Sequence, residues 1–221
     1  MAVKPRLDLA AVRACLLETR DNFKQINKTL TVRRQPPSDE VIDNLLAGYA
    51  LIDQWIAEGV DLLAAGNSHL LLALNHTVLY QHASLSDEEK NAQFEATEEH
   101  FYDSQYGGIE QLMAWLHIHQ NDSVWKRTAG TFTCILSQPQ LFIEGNHRTG
   151  SLIMSYLLMQ AGYAPFVLSY ENARHFFEPA ELIKKRRKKN PIDDLYHLPK
   201  QTRKFAKLLK NEQPAMQRLL K

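Results

Sequence analysis

The chain has 221 residues, 26 Lys plus Arg against 25 Asp plus Glu, a formal net charge of +1 and 44% hydrophobic side chains. The charge balance argues against a surface built throughout for nucleic acid or anionic lipid, and the apolar fraction excludes disorder as the default state. Folding a chain of this length buries roughly 70% of its extended surface, so neither a disulfide nor a structural metal is required.

Cys15 and Cys134 stand far apart and outside any CxxC pattern, which reads as two reduced thiols in a cytosol-like compartment. Lys4 and Arg6 are followed by no apolar stretch, and no run approaches the roughly 18 apolar residues of a membrane span. A cytoplasmic protein with no membrane partner is expected.

Residues 1–35 are expected as an N-terminal helical segment, with a boundary at Arg33–Ser38 and a domain over 36–221. Ser38, after Pro36 and Pro37, N-caps a helix whose buried stripe is Ile42, Leu45, Leu46, Tyr49, Ile52 and Ile56. Gly59 and Gly66 punctuate the next stretch, and Asn67–Ser68 can cap a helix through Leu71, Leu74 and Val78. Ser86 followed by Asp87, Glu88 and Glu89 puts carboxylates on a first helical turn, where the dipole favours them. Phe101–Gly108 reads as a loop or short hairpin opening a helix over Ile109–His119. Asn121–Ser123 caps a helix running to about Gln138. A loop over Pro139–Asn146 feeds a helix from about His147 to Ala161, stopped by Gly162 and Pro165. Further helical patterns cover Glu171–Arg187 and Thr202–Leu209. The expected fold class is all-α, with a short β-hairpin flap near Phe101–Gly107.

The stretch that carries chemistry is Gln140-Leu141-Phe142-Ile143-Glu144-Gly145-Asn146-His147-Arg148-Thr149-Gly150. It delivers a carboxylate, an amide and a guanidinium to a helix N-terminus, whose unpaired amides and positive dipole end make an anion site. Gly145 permits close approach of backbone to a phosphate, or an unusual φ. Asn146 can cap the helix or donate to a phosphate oxygen. Arg148 has the bidentate geometry suited to phosphate, and Glu144 beside phosphates can anchor Mg²⁺. On spacing alone, a capped helix with a solvated arginine and glutamate fits equally well.

The same segment resembles the Fic (fido) family signature, His-Pro-Phe-x-[Asp/Glu]-Gly-Asn-Gly-Arg-Thr-Gly-Arg, at Phe142, Glu144, Gly145, Asn146, Arg148, Thr149 and Gly150. Leu152–Pro165 is similar to the helix and exit turn that follow it, and Gly107-Gly108-Ile109 to the region after the substrate-docking flap, so the resemblance spans about Phe101–Phe177. It implies an all-α nucleotide-handling fold that uses ATP and Mg²⁺ and transfers AMP to a Ser, Thr or Tyr hydroxyl of a target protein. That target would dock at the flap near Phe101–Gly108. Glu144 would hold Mg²⁺, Asn146, Arg148 and the loop amides would hold phosphates, and Phe142 would anchor the loop. Tyr170 and Asn172 fall where relatives place the adenine end of the site.

Four departures bear on activity. Gln140 stands where the family keeps its catalytic histidine, and an amide has no usable basicity; losing such a base typically costs ~10²- to 10⁴-fold. Leu141 replaces proline, which bears on loop rigidity. Ser151 replaces the terminal arginine that meets the distal phosphate, which puts ATP orientation in question. His147 replaces the second glycine, and is either a displaced base, a cation for phosphate, or a residue facing solvent. The implied function is therefore a nucleotide-binding Fic-like protein with residual or altered AMPylation-type transfer, or else a catalytically inactive relative.

A third possibility is an interaction or nucleic-acid-binding module using the basic run Lys184–Lys189, which fits a solvated helix end as well. Gln54 to Gly59 loosely resembles the family's inhibitory helix, with Glu58 in the inhibitory position. His117 and His119, two apart, do not share a helix face and so do not suit one metal. Trp55, Trp115 and Trp125 fall at helical core positions.

Overall fold

Capping side chains set most of the helix starts. In the computed structural model, which describes residues 5–106 and 108–221, Asp8 accepts from the amides of Ala10 and Ala11 to open α1 (Leu9–Asp21). α2 (Phe23–Thr29) follows almost without a break. Ser38 accepts from Val41 N to open α3 (Asp39–Glu58), which ends at left-handed Gly59. α4 (Ser68–Tyr80) precedes α5 (Asp87–Tyr102), where Ser86 and Glu89 form a complete capping box. α6 (Ile109–Ile118) leads to α7 (Val124–Leu136), capped by Ser123. α8 (Asn146–Gln160), α9 (Ala173–Lys184) and α10 (Leu198–Met216) complete ten α-helices among the described residues. No described helix is long and apolar enough to cross a membrane.

α8 is the central element. Eleven of its 15 residues are buried, so it is covered on nearly every side. One apolar cluster joins Ile153 and Tyr156 to Val12 of α1, Ile52 of α3 and Leu74 of α4. A second joins Met154 and Leu158 to Phe132 of α7, Phe176 of α9 and Phe205 of α10. α1 thus packs into the same cluster as α3, α4 and α8, and Thr19 donates to the Leu168 carbonyl at 3.1 Å. α5 is the exception: among its residues only Thr97 and Phe101 are buried, leaving an acidic helix largely in solvent.

The expected hairpin at Phe101–Gly107 is not what the described residues form. Phe101 and Tyr102 finish α5, and Ser104–Tyr106 make one 3₁₀ turn; Gly107 lies outside the described residues. The reason is local: the capping box sets α5 running, and Phe101, 0% exposed, is held in the core at its end. Asp103 then turns the chain by accepting from Gln105 N.

The basic run is not a continuous charged stripe. α9 ends at Lys184, and the following backbone pairs with the chain leaving α7: Gln138 N donates to Arg186 O at 2.7 Å and Lys188 N to Gln138 O at 2.9 Å. Arg186 bonds Asp193, and Lys188 is half-buried, its amine pushed down to about 8 by burial. Burial likewise pushes the Cys134 thiol up to about 12, which keeps it protonated at neutral pH. Because the folded pKa of Lys188 lies below its ordinary 10.5, the cost of holding it charged is fully present at pH 7 and is relieved as pH rises through 8. Lys188→Met should therefore stabilise the protein at pH 7 by about 1–3 kcal/mol. Urea unfolding at pH 7 and pH 10 checks this, the gain narrowing at the higher pH.

Candidate functional site

The loop from α7 to α8 is built by its own polar groups. Leu141 N donates to Ile135 O at 3.0 Å, which folds the chain back over the end of α7. Phe142 is 1% exposed and stacks on Phe101, ring centroids 5.5 Å apart. Asn146 closes the loop in both directions: its Nδ2 donates to Phe142 O at 2.7 Å, and its Oδ1 accepts from Phe142 N at 3.0 Å. Asn75 of α4 pins the far side, donating to Glu144 O at 3.0 Å and to Thr149 Oγ1 at 2.9 Å.

Gly145 is required at the junction for two reasons. Its φ is +74°, in the left-handed region, and a Cβ there would lie 2.8 Å from Asn75 Nδ2. It serves as the N-cap of α8 without a side chain, accepting from Thr149 N at 2.9 Å. Among the described residues, no acceptor meets the first three amides of α8, those of Asn146, His147 and Arg148. Three bare N–H groups thus open a largely buried helix at the positive end of its dipole.

The side chains expected there divide into two groups. His147, Arg148 and Ser151 share one wall of a cavity of about 470 Å³ between α3, α8 and α9. Arg148 Nη1 donates to Val78 O at 3.2 Å, at the C-terminal turn of α4, and burial pulls its guanidinium below the ordinary value. Ser151 Oγ donates to His147 O at 2.7 Å. The His147 ring packs edge-on to Phe132 and Phe176, with its Nε2 buried and without a partner. Burial, reinforced by Arg34, Lys184 and Arg148, pushes the imidazole down to about 3, so it is neutral at pH 7.

The rest lie elsewhere. Gln140 Nε2 donates to Leu136 O at 3.3 Å, and His100 Nε2 lies 2.9 Å from the Gln140 carbonyl. Glu144 is exposed beside the helix start, and no group of three His, Cys, Asp or Glu fit for a metal exists among the described residues. Asn146, expected on phosphate, has both its side-chain atoms committed to Phe142 and is 5% exposed. Asn172, expected at a base, is 0% exposed and holds a turn through Ser169 N and Val167 O. Tyr170 is exposed on the outer surface, away from the cavity. Glu58 accepts from Gln54 Nε2 at 2.8 Å one turn back on α3 and does not line the cavity. His119 pairs with Asp122 at 2.6 Å and stacks on Trp115.

Of the charged residues that line the cavity, Arg34 escaped the sequence reading. Arg34 lies over the Phe177 ring, 4.6 Å from its centroid, and bonds Glu181 at 3.1 Å. Asn27 clasps its backbone, donating to Arg34 O and accepting from Arg34 N. The segment Arg34–Pro37 thereby crosses the cavity edge as a strap. The breaker pair Pro36-Pro37 marked a chain break and gave no sign of what the break covers.

Comparison of the chain with family models, with curated proteins and with solved structures gave no match.

Proposed function

We propose that this is a Fic-like protein that holds an anionic ligand, phosphorylated or carboxylated, at the first turn of α8 and performs little or no group transfer. One observation carries the reading: among the described residues, three unbonded amides open a buried helix whose Arg148 has no carboxylate in ion-pair contact. The chemistry of transfer is what the side chains do not supply. Gln140 is an amide turned onto α7, and an imidazole held near 3 has little affinity for a hydroxyl proton. Glu144, one exposed carboxylate beside the anion site, suits a single position on Mg²⁺, which takes its other oxygens from phosphate and water. When bound, that ion would offset phosphate charge; Arg148 and the amides orient the ligand, and a protein hydroxyl would approach past Phe101–Gly108.

The test combines ligand binding with substitution. AMP, inorganic phosphate and ATP with Mg²⁺ are each added in a thermal melt; a ligand at 100 times its Kd stabilises by about 2.7 kcal/mol. At least one should raise the melting point, and Arg148→Met should remove the shift. Labelled ATP should leave no label on protein with the native chain, while Gln140→His restores a base. Strong labelling by the native chain, unaffected at His147→Ala, would overturn the view that it lacks a transfer base; no melting shift with any of the three ligands would remove the anion site itself.

A further inference from the structure

Arg148 keeps less anionic company than a half-buried guanidinium ordinarily does. Its Nη1 bonds a single carbonyl, and among the described residues no carboxylate pairs with it; Glu144 and Glu40 act only from a distance. The second guanidinium on the cavity, Arg34, is already balanced by Glu181. Among the described residues no Asp or Glu lines the cavity, and His147 adds a buried Nε2 with nothing to bond. The remaining wall is apolar and aromatic, chiefly Leu45, Tyr49, Phe176 and Phe177. Its volume of about 470 Å³ is that of a small-molecule site.

We infer that the ligand is a small amphipathic anion, with one carboxylate or phosphate monoester head against Arg148 and the α8 amides and an aliphatic or aromatic body in the cavity. This rests on the anion site proposed above and narrows what occupies it. A nucleoside triphosphate fits less well on charge alone. It brings several negative charges, whereas the site offers one unpaired guanidinium and no carboxylate cluster to hold a compensating metal. A single head group satisfies Arg148 without stranding further charge beside Phe176 and Phe177. His147 Nε2, on the same wall as Arg148, suits a polar atom on the body near its attachment point.

Calorimetric titration of the full chain tests this with decanoate, hexanoate, decanol, decyl phosphate, inorganic phosphate and ATP with Mg²⁺. Each buried methylene should tighten binding by about 4-fold, so decanoate should bind more than ~50-fold tighter than hexanoate. Decanol, lacking the charge, should bind at least ~10-fold more weakly than decanoate. Arg148→Met should bring decanoate down to the decanol level, and Leu45→Trp, which fills the cavity wall, should abolish decanoate while leaving inorganic phosphate bound. Leu45→Trp also serves where Arg148→Met fails to fold. The stronger of decanoate and decyl phosphate identifies the head group. Decanoate no tighter than hexanoate, or indifferent to Leu45→Trp, would overturn the cavity while an Arg148-dependent phosphate signal keeps the anion site. ATP with Mg²⁺ binding tighter than both decyl probes would overturn the ligand class. If neither phosphate nor decanoate depends on Arg148, both proposals fall together.

Discussion

Replacing Asn146 by alanine is expected to destabilise the protein by about 2–4 kcal/mol, although the change removes only the amide group from a helix end. The amide bonds Phe142 N and Phe142 O at once, at 3.0 and 2.7 Å, and both residues are at most 5% exposed. Alanine strands a buried donor and a buried acceptor that water cannot reach, and the stacked Phe142 loses the tether that fixes it on Phe101. Asn146→Asp separates the two bonds. Its carboxylate still accepts from Phe142 N but sets an oxygen against Phe142 O, so the variant should be as unstable as alanine at pH 7. Protonation supplies the missing donor, so the folded state raises the pKa of this aspartate and the variant recovers stability relative to alanine as pH falls towards 4. Urea unfolding of the three proteins at pH 7 and pH 4.5 measures both effects. A cost for alanine below about 1 kcal/mol would mean that the loop is held by Asn75 and Phe142 packing alone.

The helices were legible because their signals are local. Ser38 and Ser123 each precede an apolar period and Ser86 a run of carboxylates, and each caps in the structure as its hydroxyl chemistry requires. α10 extends beyond its periodic stretch at both ends. Pro199 falls in its first turn, where a missing N–H is tolerated, and Leu198, Phe205 and Met216 all reach the core. The loop into α8 was legible as a loop over Pro139–Asn146 feeding a helix from about His147, one residue later than the observed start at Asn146. What its side chains do was not, because a short motif fixes residue types and leaves open whether each side chain turns onto the backbone, the core or a ligand. Asn146 and Asn172 hold loops where a ligand role was expected, Asn146 through Phe142 and Asn172 through Val167, Ser169 and the distant Glu212. Whether His147 faces solvent or interior depends on α7 and α9, far away in sequence, which deliver Phe132 and Phe176 to its ring. Arg34 entered the cavity through a clasp by Asn27 and a pair with Glu181, neither of which leaves a local pattern.

His147 carries the second large effect, in the pH dependence of stability. Its imidazole is pushed down to about 3 in the folded protein, against 6.5 when free, by burial first and by Arg34, Lys184 and Arg148 after it. The unfolded chain therefore takes up a proton between pH 6.5 and 3 that the folded chain refuses. The stability this group confers is fully present above pH 6.5 and drains as pH falls, at up to about 1.4 kcal/mol per pH unit. His147→Phe keeps a ring between Phe132 and Phe176 and removes the titration. The stability difference between wild type and His147→Phe should be constant above pH 7 and shift steadily in favour of phenylalanine below it, by roughly 2–3 kcal/mol at pH 4. His76, depressed by burial and by Lys90, titrates with the same sign but is present in both proteins and cancels. The carboxylates of Glu89, Asp122 and Glu178, held low by their own partners, cancel in the same way. Urea unfolding at half-unit steps from pH 8 to 4 gives the two curves, and a flat difference would show that the ring accepts protons as readily folded as free. An anion seated on Arg148 favours imidazolium, so saturating decanoate should raise the His147 pKa and shrink the slope. The same titration therefore reads, through one half-buried ring, whether the cavity has taken on negative charge.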